Sequence, residues 1–355
     1  MTPYYLLIGL PILIYFIKIY ISKEEKDINS KQVITLFFVL LFFILALRSD
    51  NIGIDLSNYK IIFSDNYSKP FSTLWAAEDE KGYLLLNKAV SLFTTNFQWL
   101  LVIIALITII PVAIVYIKQV EMPLLTILLY VNMSTFVMLF SGLRQSIAIG
   151  IGLLAYLAVK KKKLIIFILL VLLAMTFHQS AFILFVMYPL YYMKIKGKSF
   201  FFLMPIALIT FVFRLQIYKL AIKLLPERYS IYEISSTGAY TVLLLLVIFV
   251  IYSYFIPDKT KLDENTNGLR NFLLLATFIQ MFVSLSPMAM RMNYYFIIFI
   301  PLLIPQIIKR SYKQWDIMLP ISQLIITEFF FFYFFYNAYF GEDILRVFPY
   351  EFFWR

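Results

Sequence analysis

Cysteine is absent, and histidine occurs once, in a chain of 355 residues. Neither a disulfide nor a thiolate nucleophile or metal ligand is therefore available. One imidazole among scattered carboxylates does not make the ligand set of a zinc or calcium cage, so metal-independent chemistry without a cofactor is expected. Charge is scarce as well. Only 14% of residues are Asp, Glu, Lys or Arg, against roughly a quarter in soluble domains. Hydrophobic residues make up 62% and mean hydropathy is +0.85, which excludes an ordinary soluble domain. These values point to an all-α, polytopic integral membrane protein.

What the chain does contain is a series of apolar runs of about 15 to 22 residues, the length that carries a helix across a hydrocarbon core of about 30 Å. The first run has no basic leader and no small-residue cleavage site, so it reads as a retained helix and not a signal peptide. The net charge of +11 is concentrated in short connections: SKEEKDINSK after the first run, KKKK at 160–163, KIKGK at 194–198, a segment at 257–270 and KRSYK at 309–313. Positive connections stay on the cytoplasmic side, which explains the charge without nucleic acid as a partner. With the N-terminus outside, about 12 transmembrane helices place all five clusters inside: 3–21, 32–48, 97–118, 122–140, 144–160, 164–177, 179–193, 199–217, 239–256, 270–288, 292–308 and 316–336.

The lone histidine lies in LLAMTFHQSAFILF, residues 172–185. The run around it is long for one crossing and short for two. A single helix would put KKKK and KIKGK on opposite sides, so the expectation is a helical hairpin over 164–193 entering from the cytoplasm, with His178 at its tip. An arm of 14 residues rises roughly 21 Å. Backbone broken at such depth is tolerated in packed protein or against a wet cavity. The bland alternative is that His178 merely caps the break through Thr176 or backbone carbonyls.

By the same parity Arg48, Arg144 and Arg291 fall at outer ends of separate segments. Each alone could snorkel to the interface, but three at one face with the sole histidine suggest a site for an anionic headgroup, because guanidinium binds phosphate bidentately and stays charged. The segment 49–96 reads as an extracytoplasmic loop with amphipathic helices, carrying Asp50, Asp55, Asp65, Glu78, Asp79 and Glu80 among Tyr59, Tyr67, Trp75 and Tyr83. Carboxylates among aromatic rings suit a glycan, although an interfacial aromatic belt accounts for the rings alone. The segment 217–238 is expected to be a second outer loop, acting as a ledge or a plain connector. The residues after 336 are expected to form an interfacial amphipathic tail. Glu328 lies in the last run with no role assigned.

The motifs LRSDNIGIDLSNYKIIF, EKGYLLLNKAV, GLRQSIAIGIGLLAYLAVKKKK, LLAMTFHQSAFIL, RMNYYFIIFIPLLIP and FPYEF, in that order from about residue 45 onward, resemble the EpsG-like branch of the Wzy-type bacterial polysaccharide polymerases. The family pattern is matched at Arg48, Gly53, Asp55, Tyr59, Glu80, Gly82, Tyr83, Arg144, Gln145, His178, Arg291 and Tyr295. It is departed from at Ser49, where an aromatic is common, and at Lys81, where proline is frequent. The resemblance implies a glycosyltransferase in the bacterial cytoplasmic membrane, working on its outer side. Its donor and acceptor would be oligosaccharides linked to undecaprenyl diphosphate, and a chain-length regulator and a flippase of the same pathway would be its partners beside membrane lipid.

Such a transfer must stabilise charge on the departing diphosphate and take a proton from the attacking hydroxyl. Arg144, Arg291 and Arg48 are the candidates for the diphosphate. His178 is the favoured base, since its ordinary pKa lies near neutrality, with Asp55 or Glu80 as alternatives. Tyr59, Tyr83, Gln145, Gln179 and Tyr295 are assigned to the glycan or to supporting the site. A flippase for the same lipid or a membrane O-acyltransferase is the competing reading. The first should carry charges through to the cytoplasmic side and show paired repeats, neither of which is visible.

Overall fold

The computed structural model describes residues 1–22, 30–76, 80–223, 240–255, 262–311 and 318–354. Among these the backbone is helical and forms no strand; the one isolated bridge pairs Arg48 with Phe352. The all-α expectation holds. The chain divides into two compact units, residues 1–182 with 320–355, and residues 183–319.

The first unit begins with α1 (Thr2–Ser22), α2 (Ser30–Ala46), α3 (Leu56–Ser68), α4 (Phe71–Ala76) and α5 (Lys81–Ser91). It continues with α6 (Phe97–Gln119), α7 (Pro123–Asn132), α8 (Ser134–Ser141), α9 (Leu143–Lys160) and α10 (Leu164–Phe177). α2 buries Val33, Ile34, Phe37, Phe38, Leu41, Ile44 and Leu45, a three-and-four spacing that lays one stripe against α6. Phe38, Tyr116 and Tyr130 meet edge to face, with centroids 5.4 to 5.6 Å apart. α9 crosses α6 closely because Gly150 would place a Cβ only 3.3 Å from the Thr108 carbonyl oxygen; small residues permit such approaches.

α10 ends abruptly. Its 14 residues span roughly 21 Å, after which His178 is extended (φ −154°, ψ 119°) and Gln179–Val186 form a 3₁₀ helix. Runs of that kind rarely exceed three or four residues and mark a departure from regular helix.

The second unit contains α11 (Met187–Tyr192), α12 (Phe200–Val212), α13 (Arg214–Lys223), α14 (Tyr240–Phe255), α15 (Glu264–Val283), α16 (Pro287–Ile297) and α17 (Ile300–Ser311). Asn271 joins α15 to its neighbours: its oxygen accepts from the Tyr254 hydroxyl at 3.0 Å, and its amide donates to the Leu190 and Met193 carbonyls at 2.8 Å each. Gly268 leaves the notch that the Tyr191 ring fills. The chain then returns to the first unit through α18 (Met318–Phe340), where Glu328 is exposed.

The C-terminal residues, expected as an interfacial tail, are tied by their backbone to the connection between α2 and α3, with Val347 and Tyr350 buried and Ile344, Phe353 and Trp354 exposed. Ser49 N–H donates to Glu351, Gly53 N–H to Arg346, Ile54 N–H to Leu345 and Phe353 N–H to Leu47. The Tyr4 and Tyr350 hydroxyls donate to the carbonyls of Val347 and Ile44. The connection between α2 and α3 has no regular ladder of its own, and the tail supplies the acceptors that its buried amides require.

Among the described residues two helices, Phe97–Gln119 and Leu143–Lys160, are each long and apolar enough to cross a membrane, and up to five spans result if each bent pair counts as one. The bends are 59° between α7 and α8, 75° between the Gly197–Val212 segment and α13, and 43° between α16 and Ile300–Lys309. The expected single crossings at 122–140, 199–217 and 292–308 are therefore broken helices. The expected loop at 217–238 starts within α13, and its remainder from 224 lies outside the described residues.

Gly53 has φ +112°, and a Cβ there would sit 2.0 Å from the Phe140 carbonyl oxygen, whereas a Cβ at Gly9 meets nothing within 4 Å. Gly53→Ala is expected to cost at least about 2 kcal/mol, and Gly9→Ala to be neutral or slightly stabilising. Thermal unfolding of the two variants in detergent checks this; equal midpoints would contradict the packing described.

Candidate active site

The site is assembled around the start of α5. Glu80 occupies the N-cap position, yet its side chain caps nothing in its own helix. An acid there ordinarily satisfies a first-turn amide; this one turns away toward the end of α10. Gly82 makes the approach possible, since a Cβ would stand 2.4 Å from Thr176 Oγ1 and 3.0 Å from the Thr176 carbonyl carbon. Tyr83, Leu84, Asn87 and Val90 are buried along one face of α5, and Tyr83 meets Tyr59 of α3 with ring centroids 5.4 Å apart.

The break after α10 supplies the partners. His178 N–H still donates to Ala174 at 2.9 Å, but the chain then leaves the α-helical path, and Gln179 N–H donates to Glu80 Oε1 at 3.0 Å. The imidazole Nδ1 lies 2.7 Å from the same oxygen. The Thr176 hydroxyl donates to the Leu173 carbonyl, so the break is closed within α10 and the imidazole is left for the carboxylate. From the first turn of α9, Arg144 Nη1 reaches Glu80 Oε2 at 2.7 Å. The Arg144 guanidinium lies 5.6 Å from the Tyr59 ring and 5.9 Å from the Tyr83 ring.

Burial pushes the Glu80 carboxyl upward, but the hydrogen bond and charge of His178, the charge of Arg144 and the Gln179 amide outweigh it, and its pKa is held below the ordinary 4.5. Burial raises the Tyr59 and Tyr83 hydroxyls, against the pull of Arg144, so both are neutral near pH 7. An ionised carboxylate accepts and cannot donate. In neutral His178 the proton therefore sits on Nδ1, and the lone pair is on Nε2. That nitrogen is buried and has no hydrogen-bond partner. Glu80 retains 9% of its side-chain exposure and Arg144 31%, so the acid is enclosed while the guanidinium can still meet a ligand.

The other candidate residues have different surroundings. Asp55, at the N-cap position of α3, accepts from the Ser141 hydroxyl at 2.8 Å and so locks α3 to the end of α8. Arg48 is buried beneath the tail, with its guanidinium 5.4 Å from the Phe140 ring. Gln145, next to Arg144 in α9, is buried, and Gln179 contributes its backbone to Glu80. In the second unit, Arg291 is exposed on α16 and Tyr295 of the same helix is buried. Among the described residues, no three His, Asp or Glu side chains gather as metal ligands. Ser141 and the Gly82–Thr176 contact were not found from sequence; neither a single serine nor a single threonine carries a pattern that marks it.

Two outcomes follow from this geometry. Gly82→Ala should destabilise by roughly 1–3 kcal/mol and cost less in a Thr176→Ala background, a coupling that a double-mutant cycle of unfolding midpoints measures; strict additivity would show that the contact is absent. Because the folded-state pKa of Glu80 is depressed, its contribution to stability is complete above pH 4.5 and is lost as pH falls through the lowered value. Unfolding midpoints followed downward from about pH 6 should show an acid limb that Glu80→Gln flattens; an unaltered limb would place the titration on another group.

No curated protein and no solved structure matches the chain. The profile of the EpsG family matches residues 31–352, a span that contains Glu80, Arg144, His178 and all the other candidate residues. The chain belongs to the EpsG family.

Proposed function

We propose that the protein is a multi-pass membrane glycosyltransferase that extends a polysaccharide from lipid-diphosphate-linked repeat units. Membership of a family of polysaccharide polymerase-like proteins supports the reaction class. The apolar helices are compatible with a membrane, and the distribution of basic connections argues for about twelve crossings, with the Glu80 site on the extracytoplasmic side. The observation that carries the reading is the Glu80 carboxylate holding the only histidine by Nδ1 and an arginine by its other oxygen.

In the proposed step, the acceptor sugar hydroxyl gives its proton to His178 Nε2 as its oxygen bonds the anomeric carbon of the donor glycan. The bond from that carbon to the diphosphate oxygen breaks, and the diphosphate leaves with the electron pair. Glu80 fixes the imidazole orientation and balances the imidazolium that forms, in the manner of an acid–histidine pair. Arg144 is the cation for the developing diphosphate charge. Its pairing with Glu80 keeps it ordered before substrate arrives. Arg291 is proposed as a further phosphate-binding cation on the strength of its exposure and its match to the family pattern. Glu80 Oε1 is taken by His178 and Gln179 and its Oε2 is ion-paired to Arg144, while Asp55 is held by Ser141, which leaves His178 as the base. Tyr59 and Tyr83, packed against each other and beside Arg144, support the site.

Purified protein given lipid-diphosphate-linked repeat units should yield a ladder of longer glycans on a gel. His178→Ala and Arg144→Ala are expected to abolish it, and Glu80→Gln to slow extension by about 10²–10⁴-fold, all with helix content unchanged. Lys60→Ala, which removes an exposed pair with Asp50, should leave the rate intact. A normal ladder from folded His178→Ala would remove the imidazole from the chemistry.

A further inference from the structure

Arg48 differs from Arg144 in the way its charge is met. It is 2% exposed, and among the described residues no carboxylate pairs with it. Nη1 has a single long contact, 3.4 Å to the Leu139 carbonyl, and Nε is buried with no acceptor. The nearby Tyr4 and Tyr350 hydroxyls donate to the carbonyls of Val347 and Ile44, so they are turned to the chain and not toward a shared ligand. Buried guanidinium without a counter-charge costs several kcal/mol.

The same guanidinium lines a small cavity. Its walls include Leu45, Leu101, Ile104 and Leu139, with two hydroxyls, those of Thr108 and Ser146. Ser146 donates to the Gly142 carbonyl, whereas the Thr108 hydroxyl is buried and unpartnered. The space suits about one water-sized occupant, far less than a diphosphate needs. Two unsatisfied donors, one charged and on the connection after α2, the other on α6, thus line a partly open, mostly apolar cavity of the size of a single small ion.

We propose that this cavity is a binding site for a monatomic monovalent anion, of which chloride is the common example, held by Arg48 and Thr108. Water could take the hydrogen bonds but would leave the charge uncompensated in apolar surroundings. The anion meets both needs, and it ties the end of α2 to α6 and to the junction of α8 with α9. Neither Glu80, His178 nor Arg144 lines this cavity, and the proposal does not depend on the reaction proposed for them.

The test compares thermal unfolding of the full chain in detergent, in sodium gluconate and in sodium chloride or bromide at equal ionic strength. Halide is expected to raise the midpoint saturably. Thr108→Val should raise the half-saturating halide concentration about tenfold, the size of effect expected for one hydrogen bond to a charged partner, and Arg48→Met should remove the response. Equal midpoints in gluconate and halide would overturn the proposal in favour of water. Should Arg48→Met fail to fold, Thr108→Val decides alone: a shifted saturation supports the site, and an unshifted one overturns it.

Discussion

The organisation of the site depends on one buried carboxylate. Glu80 collects the His178 imidazole, the Gln179 amide and the Arg144 guanidinium, which come from the end of α10, the 3₁₀ segment after it and the start of α9. Removing any one donor would leave the acid under-compensated, which is costly away from water. That requirement explains local features that are unfavourable taken alone: an N-cap acid that does not cap, a helix that stops at 14 residues, and a glycine within van der Waals distance of Thr176. It also gives the imidazole a chemical state. With Nδ1 held by the acid, Nε2 is the edge left for the proton transfer proposed above, and a proton arriving there would be balanced by charge already in place.

The three arginines expected at one face have three different environments. Arg144 is paired with an acid, flanked by two tyrosines and partly accessible. Arg291 is exposed on a helix of the second unit. Arg48 is enclosed under the C-terminal tail beside a cavity fit for one small occupant. Residue type and position at a helix end are common to all of them. What separates them is how far each guanidinium is exposed and, for Arg144, the acid that reaches it from a segment far away in the chain.

Much of the helical architecture was legible because apolar runs and basic connections obey strong rules. The arm expected at 164–177 and the helix Leu164–Phe177 share their bounds, since a lysine cluster precedes the run and a polar Thr-Phe-His-Gln-Ser patch follows it. The bends within 122–140 and 199–217 were not legible, because Met133 and Phe213 carry no proline or glycine to announce a break. At the site, His178 stood out through scarcity and Glu80 through the EKGY motif, but their contact spans 98 positions, and periodicity does not record long-range pairing. The pairing of the tail was hidden for a related reason. Its aromatic residues fit a membrane interface equally well, and only the backbone pairing of Ser49, Gly53 and Ile54 shows where they pack.

A single histidine gives one imidazole signal set, so nitrogen-15 NMR of the histidine-labelled protein in detergent reads the tautomer without assignment. The expected result near neutral pH is a proton on Nδ1 and a bare Nε2, with that preference lost in Glu80→Gln. A proton on Nε2 in the unsubstituted protein would contradict the hydrogen bond to Glu80 and the role of His178 as the base.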